Sequence, residues 1–285
     1  MPGMLCHREV AVSRKILVVL SEYGYWGEEL LGPLTHFDAN DYTSVFITPT
    51  GARPHALPPS MDENFQDPPL GRSVTTPEVA AAVRELDASD RLTKPIDLTT
   101  LLPERPYTSD PDYLRRLEAY NDDVDTARAS LAEYDALLIV GGSGPIADLA
   151  NNERVHQLIL GFLAADKLVA AECYGVACLA FARDWDNRAS IIRGKHVTGH
   201  CKEYDYKDGT GFLGTDFNMG PPPYPLEYIL RDATGPDGAY HGKFGHKTSV
   251  IVDWPFVTGR STPDSFLTGQ KIVEVLENGL RRWGW

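Results

Sequence analysis

Four short runs, Lys15–Leu20 (KILVVL), Thr43–Pro49 (TSVFITP), Tyr134–Val140 (YDALLIV) and Leu168–Glu172 (LVAAE), constrain this chain more than any other feature. Each is nearly all apolar and β-rich rather than alternating, so each reads as a strand buried on both faces. Helical patterns stand between them: Glu28–Asp38 after the first run, Ile146–Ala165 after the third, with Leu149, Val155, Leu158, Ile159 and Phe162 near 3.6 spacing. Strands alternating with helices predict a doubly wound, flavodoxin-like α/β fold, with a mostly parallel sheet covered by helices on both sides.

The alternation lapses between the second and third runs. Residues 52–74 are rich in Pro, Asp and Gly. Thr76-Pro77-Glu78 then supplies an N-cap, a first-position proline and a first-turn acid for the helix EVAAAVREL. A second Pro-rich stretch, Lys94–Pro111, precedes a charged helix at Asp112–Leu131. Residues 52–131 are therefore expected to be a helical and loop insertion capping a single 285-residue domain, since long insertions in compact domains tend to be functional. Further on, 196–224 lacks periodicity, Leu226–Asp232 reads as a helix, and Ser249–Val252 with Phe256–Thr258 as a hairpin. Thr262-Pro263-Asp264 caps a last helix expected to run to about Arg282.

Charge and cysteine content narrow the function classes. A net charge of −13 opposes nucleic-acid and anionic-membrane partners at long range, and the apolar run KILVVL is far too short to span a bilayer. The four cysteines, at 6, 173, 178 and 201, form no CxxC pair. His200, Cys201, Glu203 and Asp205 match no common metal-ligand spacing, so neither metal nor cofactor is expected. A cytoplasmic location with free thiols is the expectation.

The strongest chemical signal is LVAAECYGVACLAFA, residues 168–182. A buried strand runs straight into Cys173, and Gly175 opens a helix (Gly175–Arg183) two residues later. Such an elbow lifts a nucleophile above the carboxyl edge of the sheet, over a helix N-terminus whose free N–H groups favour a thiolate or an oxyanion. Cys178, further into the helix, reads as core. In IVGGSGP (residues 139–145), Gly141 and Gly142 allow the backbone to approach a bound oxyanion. Tyr25 and Trp26 are expected to line a pocket for a small carbonyl substrate, with Asn218 and Tyr224 as weaker candidates. Glu172, a carboxyl in an apolar strand, should face away from Cys173 and needs a histidine, an arginine or backbone donors as partner. His200, in GHCKEYD, is an imidazole available from elsewhere in the chain.

YWGEELLGP, YDALLIVGGSGP and the cysteine elbow together resemble the ThiJ/PfpI superfamily, of class I glutamine amidotransferase-like fold. KHVTGH, PPPYPLEYIL and VTGRSTPDSFLTGQKIVEVLE extend that resemblance over nearly the whole chain. It is nearest to the larger branch containing glyoxalase III-type and chaperone proteins. The resemblance implies Glu29, four residues before Pro33, as general acid/base beside the thiol, and Asp205 as the acid of a triad. Where that branch carries Cys-His-Gly, this chain has Cys173-Tyr174-Gly175; tyrosine titrates near pH 10 and is no neutral-pH base, though it can orient or donate a hydrogen bond. The implied activity is thiolate addition to a small electrophile with Glu-assisted proton transfer, as in a glyoxalase III-like lyase, hydratase or hydrolase, from a homodimer. A holdase chaperone and a thiol redox sensor are the alternatives. Glutaminase chemistry would need a downstream His-x-Glu, which is missing from the sequence.

Overall fold

The computed structural model describes residues 13–67, 70–204, 226–243 and 245–285. In chain order its strands are β1 (Lys15–Val19), β2 (Thr43–Thr48), β3 (Gln66–Asp67), β4 (Arg72–Ser73), β5 (Ile96–Asp97), β6 (Ala136–Ile139), β7 (Leu168–Glu172), β8 (His196–Val197), β9 (Ala239–Tyr240), β10 (Val250–Asp253), β11 (Phe256–Gly259) and β12 (Arg282–Trp283). The α-helices are α1 (Gly27–Ala39), α2 (Pro77–Ala88), α3 (Leu98–Leu101), α4 (Tyr113–Ser130), α5 (Gly144–Asp148), α6 (Glu153–Ala164), α7 (Val176–Phe181), α8 (Leu226–Thr234) and α9 (Ser265–Asn278).

One sheet runs in the order β12-β10-β11-β7-β6-β1-β2-β5. The block from β11 to β5 is parallel, while β10 joins β11 and β12 antiparallel. The sequence β2-β1-β6-β7-β11 is the flavodoxin-like order, whose switch point lies between β1 and the strand beside it, here β6. Alternation along β1 explains why all four apolar runs are buried on both faces. Leu17 and Val19 enter one core with α6, α7 and α8, whereas Ile16 and Val18 enter the other with α1, α2 and α9.

Residues 52–131 are divided among different layers. Residues 57–67 and 70–76, which include the strands β3 and β4, lie beside the carboxyl edge of the sheet, lining one cavity with Gly142 and Cys173. Beyond them α2 packs on α1, β5 extends the main sheet, and α4 packs on α6. Thr76 caps α2 as its pattern predicts, its side chain accepting the Val79 N–H at 3.3 Å.

Two expected helices are shorter. Residues 146–165 divide into α5 and α6, because the Asn152 side chain caps a fresh helix by accepting the Arg154 N–H at 3.0 Å. The last helix stops at Asn278, where Gly279 takes φ 65°, and the chain returns as β12 along β10. Among the described residues no helix is long and apolar enough to cross a membrane.

Candidate functional site

The carboxyl ends of β1, β6 and β7 converge at the switch point, and each delivers one part of a site. After β7 the backbone turns at once: Cys173 sits at φ 52°, a left-handed conformation that a cysteine adopts only when its surroundings impose it. A short 3₁₀ turn, Cys173–Gly175, then leads into α7. The thiol is 5% exposed and opens onto a cavity. The backbone N–H groups of Gly142 and Tyr174 lie near its sulfur and favour the thiolate, against burial.

After β6, Gly141 and Gly142 make room for that arrangement. A Cβ on Gly141 would lie 2.2 Å from the Glu29 carboxyl and 2.6 Å from the Cys173 Cβ. Gly142, at φ 87°, would bring a Cβ to 2.4 Å from the Trp26 nitrogen. Any side chain here would push the acid, the thiol and the start of α1 apart. The Gly141 carbonyl accepts the Trp26 N–H at 3.2 Å, which ties the β1–α1 turn to the site.

Beyond β1, α1 places Glu29 in its first turn, fully buried, with its carboxyl beside the thiol and the Gly142 backbone and its Oε2 without a hydrogen-bond partner. Burial pushes its pKa well above the usual carboxyl range, against the pull of those two neighbours, so Glu29 holds its proton at neutral pH. Burial and the neighbouring Glu29 push the Cys173 pKa up as well.

The imidazole arrives from a distant segment. His200, in the loop after β8, places Nδ1 3.5 Å from the Cys173 sulfur. Its ring stacks on Tyr174, centroids 4.1 Å apart and planes 23° apart. Tyr174 is thus a platform on which the imidazole rests.

Other predicted residues are placed differently. Tyr25 is fully buried outside the cavity, its hydroxyl 3.2 Å from Asp87, and serves packing; Trp26 does line the cavity, edge-on to Phe65. Glu172 points toward α9, and its partner is a hydroxyl instead of the expected cation, imidazole or backbone donor. Ser265 donates to Oε1 at 2.9 Å, while Oε2 has no partner. Burial, reinforced by Glu29 and Asp264, raises the Glu172 pKa strongly. Cys178 is core. Asp205, Asn218 and Tyr224 lie outside the described residues.

The cavity has a volume of about 670 Å³. Its apolar lining, Leu57, Phe65, Leu70 and Val74 beside Trp26, comes mostly from residues 57–76, whose lack of periodicity hid them in the sequence. Arg72, Lys247 and Arg260 also line it.

A strained cysteine after a parallel strand, with a buried helix-borne glutamate against its sulfur, agrees with what comparison of the sequence shows: the ThiJ/PfpI family-like profile matches residues 20–207. The chain belongs to the ThiJ/PfpI family. Among relatives within reach of alignment is the protein/nucleic acid deglycase HchA of Pseudomonas aeruginosa, 33% identical over 176 residues, covering 60% of this chain and 57% of that protein. The chain thus aligns with less than two thirds of that relative's length. Two solved structures share the ThiJ/PfpI fold at low identity. Rapid Encystment Protein 24 kDa of Francisella tularensis is 20% identical, covers 92% of this chain and 99% of its own, and has a TM-score of 0.63. Glyoxalase III of Candida albicans is 15% identical, covers 93% and 98%, and has a TM-score of 0.60.

Proposed function

We propose that this ThiJ/PfpI chain is a cofactor-independent cysteine enzyme that converts a 2-oxoaldehyde, or a closely related carbonyl electrophile, to the hydroxy acid. The observation that carries this reading is the convergence of a protonated Glu29 and the His200 imidazole on the sulfur of one strained cysteine. Names of relatives, a deglycase and a glyoxalase III, support the same substrate class.

In this mechanism His200 Nδ1 takes the thiol proton as the sulfur adds to the aldehyde carbon. The aldehyde π bond breaks, and Glu29 gives its proton to the new oxyanion, so a neutral hemithioacetal forms, with the carboxylate of Glu29 and the imidazolium of His200 as an ion pair beside it. Glu29, now a carboxylate, removes the hydrogen from that carbon and returns it to the adjacent one, while the hydroxyl proton of the first carbon passes to the neighbouring oxygen. The first carbon is oxidised to a thioester while the neighbouring carbonyl is reduced to an alcohol, so no outside oxidant or reductant enters. Water then cleaves the thioester: its hydroxyl adds to the acyl carbon, its proton returns to Glu29, and the thiolate leaves with the proton held by His200, which releases the hydroxy acid and restores the thiol.

Burial favours this over a redox sensor, because sensing cysteines are exposed and acidic, whereas Cys173 is enclosed with its pKa raised. The test is turnover of phenylglyoxal, with mandelate followed by NMR. The wild type should form mandelate, and Cys173→Ala should lose at least a thousandfold in kcat/KM. Equal turnover by Cys173→Ala would remove the cysteine from the mechanism.

A further inference from the structure

We infer that the natural substrate is an electrophile with an apolar body and an anionic end, and that Arg72 and Lys247 receive that end. The inference rests on the carbonyl reading above and names the rest of the molecule.

Size is the first consideration. At about 670 Å³ the cavity falls within the range that encloses drug-sized ligands, far more than a three-carbon oxoaldehyde fills. The apolar residues Trp26, Leu57, Phe65 and Leu70 in its lining call for an apolar or aromatic body.

Charge is the second. The chain as a whole carries a net charge of −13, so positive charge at the cavity is local. Arg72, on β4, and Lys247, in the loop before β10, reach the same cavity from two separate segments. Among the described residues neither side chain makes a hydrogen bond or an ion pair. Asp67 also lines the cavity and stands opposite Arg72 in the hairpin, its Oδ1 accepting the Leu70 N–H at 3.0 Å, so it offsets one of the two cations. Glu29, the other acid of the lining, is kept protonated by burial. Among the described residues of the lining, two cations therefore stand against one carboxylate, and a net positive charge remains.

Both positions are held by the fold. Arg260 is fully buried and donates to the carbonyls of Gly242 at 3.2 Å, Lys243 at 2.6 Å and His246 at 3.1 Å, fixing the loop that presents Lys247. Its charge is answered by Asp264 at 3.4 Å. The hairpin bearing Arg72 is registered by Gln66↔Ser73 and seated on α1 through the edge contact of Phe65 with Trp26. A guanidinium and an ammonium, both exposed to the space they line, are the groups that receive a phosphate or a carboxylate.

The test uses ligands that cannot react, so it reads binding alone. Phenyl phosphate, benzoate and benzyl alcohol are titrated calorimetrically into the Cys173→Ser protein and into the same protein carrying Arg72→Ala and Lys247→Ala. Binding of phenyl phosphate or benzoate at one site per chain, at least tenfold tighter than benzyl alcohol and weakened at least tenfold by the double substitution, is the expected result. Whichever anion binds more tightly identifies the terminal group. Failure of both anions to bind, or binding indifferent to Arg72 and Lys247, overturns the inference. The phenylglyoxal assay with wild-type protein reads the catalytic proposal separately, so either can fail alone.

Discussion

At the scale of single residues, the proposed chemistry turns on Glu29 and His200, and each depends on a neighbouring side chain. Glu29 keeps its proton mainly because it is buried, and the neighbouring carboxyls of Glu28 and Asp264 add to that as like charges. Replacing Glu28 with its neutral isostere removes a like charge, which makes Glu29 easier to ionise. If protonated Glu29 serves as the general acid, the alkaline limb of the pH–kcat/KM profile should move to lower pH in Glu28→Gln. A purely structural Glu28 would change stability and leave that limb in place. Tyr174 acts by a different route, as the surface on which His200 stacks. Tyr174→Ala should free the imidazole and slow iodoacetamide alkylation of Cys173 ten- to a hundredfold, whereas Tyr174→Phe, which keeps the ring face, should stay within a fewfold. Both centres of this chemistry show unequal legibility in the sequence. Cys173 and Glu29 are readable because each is announced by its own few residues, a strand broken into a helix and a first-turn acid before Pro33. His200 lies 27 residues from the thiol in a stretch with no periodicity, so only three-dimensional folding brings it to 3.5 Å.

At the scale of elements, the site depends on how closely α1 can approach α9. A Cβ on Gly32 would stand 2.6 Å from the Ser265 backbone, and one on Gly269 would stand 2.6 Å from the Pro33 Cα, so the helices cross nearly backbone to backbone. That crossing seats Glu29 from α1 and Ser265 from α9 on either side of the elbow. Gly32→Val should therefore cost about 1–3 kcal/mol, read from the urea midpoint, and lower kcat by moving Glu29. Thr35→Ala, on the exposed side of the same helix, should change stability by less than about 0.5 kcal/mol. Strand identity was the readable part of this layer, because a doubly buried strand must be apolar throughout. Helix ends were less so: the Asn152 cap that interrupts 146–165 and the reversal at Gly279 compete with an apolar periodicity that continues past them. The placement of 77–131 within the sheet layers depends on long-range packing that no local pattern encodes.

Across the whole molecule, acidity is concentrated in one place where it is costly. Glu28, Glu29, Glu172 and Asp264 are all buried around the junction of α1, β7 and α9, and the buried Arg260 is already paired with Asp264. Glu28 isolates the consequence, because burial alone pushes its pKa up to about 7 from an ordinary value of 4.5. With the folded value above the unfolded one, the folded state binds more protons between those two pH values, so stability falls as pH rises. The contribution is fully present below about pH 4.5 and is lost as pH rises through about 7. At about 1.4 kcal/mol for each pH unit the loss amounts to about 3 kcal/mol. General repulsion in a chain of net charge −13 acts in the same direction, so wild-type stability alone does not separate the two. Glu28→Gln does separate them. It keeps the shape and removes one titration, so urea unfolding between pH 5 and pH 8 should show a shallower decline than in the wild type, the two curves converging at the acid end once Glu28 is protonated. Parallel curves over that range would mean that Glu28 keeps an ordinary pKa and that the burial of this acid is compensated in the fold.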